Sequence, residues 1–294
     1  MQMGSMPAER PPFRRIAVLG LGLMGGSFAR ALAACASAPT VVGWSPDKRE
    51  RDAAREAGAL AEAPAEWEAA VEGADLVMLA MPLTATCATI AELPGHIGDG
   101  ATVSDMASLK VRVAQSVHAA ALTSRWVGSH PMAGGVESGF EASSQDLFRG
   151  ARVWMTYDES AAEKARRVND LWARLGATPA PIEVEEHDRV MALVSHLPQV
   201  TANALALALL ESGVELDQLG PGGLGMTRLA ASNPSMWRDL LENAPPELGH
   251  ALRRLAATLV DLADNLEGGG GPGDVGLDDL TRLMERTGAW RTGA

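Results

Sequence analysis

A short apolar run, Ile16-Ala17-Val18-Leu19, passes directly into Gly20-Leu21-Gly22-Leu23-Met24-Gly25, and Gly26-Ser27 opens a helical stretch to about Cys35. Strand, glycine turn and helix in this order leave the chain few folds to choose from. The spacing G-x-G-x-x-G in that setting is the signature of a dinucleotide site. The first glycine permits the tight turn, the second lets a pyrophosphate approach the backbone, and the third lets the helix pack on the strand. The pyrophosphate then rests on the free amides at the helix N-terminus. Gly20, Gly22, Leu23, Met24 and Gly25 are therefore the expected cofactor contacts; a glycine-rich turn without a ligand is the plainer alternative.

The second apolar run, Thr40-Val41-Val42-Gly43-Trp44, ends at Ser45. About twenty residues past the glycine motif, an NAD enzyme usually carries an acidic residue for the ribose 2′-hydroxyl. Here that place holds a neutral serine. Ser45-Pro46 reads as an N-cap with proline at the first helical position, which puts Asp47 inside the first turn. Lys48, Arg49 and Arg51 follow closely. A hydroxyl, free helix amides and nearby cations suit a 2′-phosphate, so NADP is favoured over NAD, with Ser45 and Lys48 as contacts. A solvated helix face would account for Lys48 and Arg49 equally simply.

The alternation continues. Residues 75–80 read as a strand ending at Met81-Pro82, a further expected cofactor contact at a strand's carboxyl end. A helix over 85–92, a strand over 101–104 and a helix over 110–122 come next. Ser108 lies between the last two, either as a helix N-cap or as a hydroxyl facing nicotinamide and substrate. After a strand at Trp126 comes Gly128-Ser129-His130-Pro131-Met132-Ala133-Gly134-Gly135. This reads as a stiffened loop whose histidine sits where it can move protons near neutral pH. Strands over 153–156 and 178–184 flank a helix over 160–175. The pattern predicts an α/β fold, a Rossmann-type doubly wound, mainly parallel sheet. Ligands in such sheets bind beyond the strands' carboxyl ends, where Ser108 and His130 converge.

From Glu185 onward the reading is all-helical, which divides the chain into a dinucleotide-binding domain at 14–183 and a helical substrate-binding and dimerisation domain at 184–294. Apolar residues recur at helical spacing from His187 to about Leu210. A polar line of Ser195, His196, Gln199 and Asn203 runs along another face, and Pro198 is a candidate kink. Arg228 has small neighbours and can hold an anion bidentately. Further helices are expected from Asn233-Pro234, over 247–266, and over 277–286 after a glycine linker at 268–273. Leu252, Leu255, Leu259, Leu262 and Leu266 form an apolar stripe that would suit a homodimer or an intrachain core.

Net charge is −12, which argues against nucleic acid and anionic membranes as partners and obliges any anionic ligand to find a local cation. The two cysteines, Cys35 and Cys87, have neither disulfide nor metal-site spacing, as expected in a reducing cytoplasm. Residues 1–15 lack a signal-peptide core, no apolar run approaches transmembrane length, and no metal is implied.

Taken together, these motifs resemble the prephenate/arogenate dehydrogenase family of tyrosine biosynthesis, from Arg15 to about Arg286. The glycine motif is shared with other dehydrogenases. Gly128 to Gly134 followed by Glu137-Ser138-Gly139 is more specific. So are His187-Asp188 leading to Ser195-His196-Leu197-Pro198, and Arg228 followed by Asn233-Pro234-Ser235-Met236-Trp237-Arg238-Asp239. The resemblance implies His130 as the catalytic histidine on the substrate's ring hydroxyl and Ser108 as its partner in catalysis. It implies substrate binding by His196, Gln199, Arg228 and Trp237, with Arg228 on a carboxylate. The implied reaction is oxidative decarboxylation of prephenate or arogenate with hydride transfer to NAD(P)+. Gln199 stands where many members have a second histidine, so the choice between a keto and an amino substrate stays open there. The chain ends without room for a regulatory domain, so feedback by tyrosine would have to act at the active site. Two alternatives are a β-hydroxyacid dehydrogenase of the 6-phosphogluconate type and an NAD(P)-binding redox sensor without turnover. The first needs a lysine in its second domain, and none follows Lys164. The intact His130, Ser108 and Arg228 argue against the second.

Overall fold

The early strands are apolar on both faces, a pattern that only a sheet covered on both sides satisfies. In the computed structural model, which describes residues 11–135, 137–267 and 275–293, seven strands form one sheet. They are β1 (Arg15–Leu19), β2 (Thr40–Trp44), β3 (Leu76–Leu79), β4 (Thr102–Asp105), β5 (Trp126–Pro131), β6 (Arg152–Thr156) and β7 (Thr178–Pro181). Their order is β2-β1-β3-β4-β5-β6-β7, parallel throughout except between β5 and β6. The helices α1 (Leu23–Ala33), α2 (Lys48–Glu56), α3 (Trp67–Val71), α4 (Leu83–Glu92), α5 (Val111–Ala119) and α6 (Ala162–Arg174) cover it. Ile16 and Val18 of β1 join the core with Phe28 of α1 and Trp172 of α6, whereas Ala17 and Leu19 join the one with Ile90 of α4 and Val113 of α5. This is the expected Rossmann-type doubly wound sheet. β1 has β2 on one side and β3 on the other, so the strand order reverses there and opens a crevice at their carboxyl ends.

The helical half follows as α7 (Val184–Met191), α8 (Leu197–Glu211), α9 (Pro221–Thr227), α10 (Pro234–Glu242), α11 (Pro246–Glu267) and α12 (Val275–Thr292). Ala192–His196 between α7 and α8 is a π-helical turn. Pro198 lies just beyond it and has no N–H for the preceding turn. The helix absorbs the proline by widening rather than by a break. Read as one, Val184–Glu211 is long and apolar enough to cross a membrane by length and composition alone, contrary to the expectation that no run approaches that length. His187, Asp188, His196 and Gln199 are nevertheless buried along it. The expected linker at 268–273 falls outside the described residues.

Two carboxylates tie the helical half to the sheet. Asp188 of α7 accepts from the backbone N–H of Lys110 at 2.7 Å and Val111 at 3.0 Å, capping α5. Asp239 of α10 accepts from Thr84 N at 3.1 Å and Thr84 Oγ1 at 2.5 Å, at the start of α4. Each satisfies free amides and meets the positive end of a helix dipole. Leu240 is buried in the same core as α4 and α5.

Three local expectations need correction. Asp47, not Ser45, caps α2, because its carboxylate reaches Arg49 N at 2.8 Å while the Ser45 hydroxyl donates to Glu50. Ser108 does not cap α5; Asp188 does. His130 is not on a loop but inside β5, opposite Trp154 of β6. The glycines and Pro131 suggest a loop, but the antiparallel ladder with β6 extends the strand through them.

Candidate active site

The glycine turn shows why each glycine is there. Gly20 has φ +97°, and a side chain on it would meet the Ala80 carbonyl oxygen at 2.5 Å and Met81 Cγ at 2.9 Å. A Cβ on Gly25 would lie 1.9 Å from the Gly20 oxygen. Gly22 differs: among the described residues the one atom near its missing Cβ is Glu50 Oε1, at 4.0 Å. It is also the N-cap of α1 and has no side-chain cap. Leu23 and Met24 begin the helix, both half-buried. The turn thus leaves open backbone space at free helix amides, a cradle that fits a dinucleotide pyrophosphate. Met81 lies beside it, and Pro82 follows as the N-cap of α4.

At the end of β2 the arrangement is tighter than expected. Ser45 is buried, accepts from Asp47 N at 3.2 Å and donates to Glu50 Oε2 at 2.5 Å. Arg51 donates to the Ser45 carbonyl. Lys48 is exposed and pairs with Asp52 of its own helix at 2.5 Å, so it is not brought to the turn. Glu50 is, with its Oε1 4.0 Å from where a Cβ on Gly22 would stand, a placement that nothing in the local sequence signals.

His130 is nearly enclosed. Its Nδ1 lies 2.8 Å from Nε2 of His187, whose own Nδ1 lies 2.7 Å from Asp188 Oδ1. Burial pushes the His130 pKa well below 6.5, and His187, Lys110 and His196 add to this. His187 is also lowered by burial, but the Asp188 hydrogen bond opposes that. Below them Lys110, fully buried, pairs with Asp105 and donates to the Ser129 carbonyl at 2.8 Å. Asp105 also accepts from Trp126 Nε1 at 2.9 Å and Ala107 N at 3.0 Å, so this buried pair is fully hydrogen-bonded. The loop after β5 returns to the cofactor turn: Leu23 lies 3.8 Å from the position a Cβ on Gly135 would take. Ser108 is half-buried after β4, with no hydrogen bond among the described residues.

His196 and Trp237 meet edge to face with centroids 5.7 Å apart. Both His196 ring nitrogens and Trp237 Nε1 are buried without a hydrogen-bond partner among the described residues. Buried polar atoms of that kind need an explanation, and a bound polar ligand supplies one. Gln199, one turn beyond His196, donates to Leu229 O at 2.6 Å and accepts from Ser232 Oγ at 3.1 Å. Its carboxamide therefore holds the short turn Arg228–Ala231. Arg228 on that turn is exposed and makes no ion pair among the described residues.

His187, Asp188, Lys110 and Asp105 join the site through contacts that their sequence neighbourhoods do not reveal. The His187-Asp188 pair was visible, but its contact with His130 spans 57 residues, and nothing local in the sequence announces it.

Two family models match consecutive stretches of the chain: the nucleotide-binding domain of prephenate dehydrogenase over residues 28–180, and the dimerization domain of prephenate dehydrogenase over 183–286. A cyclohexadienyl dehydrogenase of Zymomonas mobilis is 34% identical over 83% of this chain and 86% of that protein. The structure of an Aquifex aeolicus prephenate dehydrogenase, in complex with hydroxyphenyl propionate and NAD+, superposes with a TM-score of 0.85 at 27% identity, covering 95% of this chain and 98% of that one. The Synechocystis arogenate dehydrogenase does so with a TM-score of 0.72 at 25% identity, covering 95% and 99%.

Proposed function

The chain belongs to the prephenate dehydrogenase family, and from that premise we propose how its own residues carry out the oxidative decarboxylation of a prephenate- or arogenate-type cyclohexadienol with NAD(P)+. A nicotinamide dinucleotide held in the glycine cradle would supply the acceptor for the carbinol carbon's hydride, with carbon dioxide as the leaving group that lets the ring become aromatic. His130 takes the proton of the ring hydroxyl, and Ser108, with its hydroxyl uncommitted, holds that hydroxyl in register. His196 and Trp237 offer their unpartnered nitrogens to the substrate, and Arg228 takes a carboxylate, the local cation that a chain of net charge −12 must supply. Gln199 acts by holding the turn that carries Arg228. Gly20, Gly22, Leu23, Met24, Gly25, Met81 and Pro82 hold the cofactor.

The observation that carries this reading is the placement of His130. It is buried, held from behind by a second imidazole at 2.8 Å, and followed by a glycine loop packed on the dinucleotide turn. NADP is the proposed cofactor. A neutral Ser45 follows β2, and Arg51 of α2 donates to its carbonyl; Glu50, bonded to Ser45, has to turn away to admit a 2′-phosphate. The division at 14–183 and 184–294 is proposed from the change between β7 and α7, and a homodimer from the uncovered apolar faces of the helical half. The free Cys35 and Cys87 suit a cytoplasmic setting.

One experiment tests the reaction, the substrate and the cofactor together. Purified protein is mixed with prephenate or arogenate and with NAD+ or NADP+, and reduced cofactor is followed by absorbance. A signal is expected, strongest with NADP+; silence in all four mixtures would sink the proposal. His130→Asn is expected to abolish turnover, by about 10²-fold or more, while cofactor affinity measured by fluorescence titration stays near that of the parent. Equal loss of both would make His130 structural.

A further inference from the structure

We infer that His187 is a positioning residue that fixes the tautomer of His130 and receives the positive charge when His130 takes the substrate's proton. The inference rests on the reading of His130 as the base.

The hydrogen-bond directions follow from one end of the chain. Asp188 accepts backbone N–H bonds from Lys110 and Val111 on its two oxygens and lies 2.7 Å from His187 Nδ1. A carboxylate only accepts, so His187 Nδ1 carries the hydrogen and donates. Neutral His187 then has a bare Nε2, and the 2.8 Å contact requires His130 Nδ1–H to donate to it. Nε2 of His130, which makes no hydrogen bond among the described residues, is left as the basic nitrogen. Such a partner behind a working imidazole sets both tautomer and orientation.

The same line can move charge without net addition of protons. The substrate O–H bond breaks and its proton joins His130 Nε2. The Nδ1–H proton of His130 passes to His187 Nε2. His130 ends neutral, with the hydrogen on Nε2, and His187 ends as an imidazolium against the Asp188 carboxylate. The surroundings favour that end point. His130 faces His187, Lys110 and His196, and among the described residues no anion stabilises its charged form. His187 faces Asp188 and Asp105 as well as Lys110. Asp188 cannot turn away without uncapping α5, so the acceptor of the line is fixed by the fold.

His187→Gln separates this role from a structural one. A glutamine oxygen can still accept from His130 Nδ1 but cannot take a proton. We expect kcat to fall about 10- to 100-fold, with KM and cofactor affinity nearly unchanged. The acid limb of the kcat/KM profile should move to lower pH, because His130 alone, buried beside Lys110, resists protonation more than the pair does. Asp188→Asn should move it the same way. An unchanged kcat and acid limb would overturn the inference, as would a limb that moves up toward 6.5 with raised KM, the mark of water entering a loosened site. Should the variants fail to fold, ¹⁵N spectra of the wild-type protein decide. Both His130 and His187 are expected as Nδ1–H tautomers, and an Nε2–H tautomer at His130 overturns the proposal. Retained turnover in His130→Asn would instead refute the underlying reading, so the two failures are distinguishable.

Discussion

At the scale of single residues, the site is dominated by three enclosed imidazoles, His130, His187 and His196, all with pKa values lowered from 6.5, chiefly by burial. Their folded values lie below their unfolded ones. Above about pH 6.5 both states are neutral at these positions and stability is full. As pH falls through 6.5 the unfolded chain binds protons that the folded protein refuses, so stability drops until the folded values are reached. The melting temperature should therefore fall by several degrees between about pH 7.5 and 5.5, and His196→Gln should make the fall shallower. Scanning calorimetry across that range is the check, and a flat profile would mean that the rings are solvated. His130 and His196 could be picked from the sequence because each stands in a locally distinctive setting, one between glycines and a proline, the other in a polar line on an apolar helix. His187 could not, because its meaning lies in a partner on another element.

At the scale of elements, the strand, turn and helix around Gly20–Gly25 were legible because the glycine spacing itself is the signal: Gly25 answers to the Gly20 oxygen inside the turn, while Gly20 answers to Ala80 and Met81 beyond β3 and Gly22 faces open space. The geometry separates their roles. Gly25→Ala would place a methyl 1.9 Å from the Gly20 oxygen, forcing the helix off the strand. Overpacking of this kind costs about 1–3 kcal/mol or more. Gly22→Ala meets nothing closer than 4.0 Å at a φ of −67°, so the fold should keep its stability. Its methyl would instead occupy the space of the pyrophosphate and weaken cofactor binding, by about tenfold or more, the equivalent of 1.4 kcal/mol. Thermal unfolding and cofactor titration of the two variants test this; a Gly25→Ala protein as stable as the parent would contradict the packing argument. Where expectation failed, the cause was non-local. Asp188 caps α5 from 78 residues away, and β6 extends β5 through His130 by a ladder that the sequence around Pro131 does not foretell.

For the molecule as a whole, the imbalance is between a well-covered sheet and a helical half that leaves apolar side chains in water. Leu207 and Leu210 of α8 and Leu259 and Leu266 of α11 are 53%, 71%, 57% and 68% exposed. A patch of this kind marks an interaction surface. The matched dimerization-domain model spans these helices, and a second copy of the chain is the occupant we propose. The same uncovered faces explain why Val184–Glu211 is long and apolar enough to cross a membrane by length and composition: the helix carries exposed apolar residues on one side while its buried side holds His187, Asp188 and His196. In a two-fold interface each substitution acts twice. Placing a glutamate at Leu259 removes a leucine worth about 2 kcal/mol of burial from each side. That is roughly 4 kcal/mol per dimer, or about a 10³-fold weaker association, before the cost of burying the charges. Sedimentation of Leu259→Glu at micromolar concentration should therefore show monomers where the parent shows dimers. Leu210→Glu should do the same if α8 shares the interface with α11. A Leu259→Glu protein that sediments like the parent would place the twofold contact elsewhere and leave the α11 stripe without a partner.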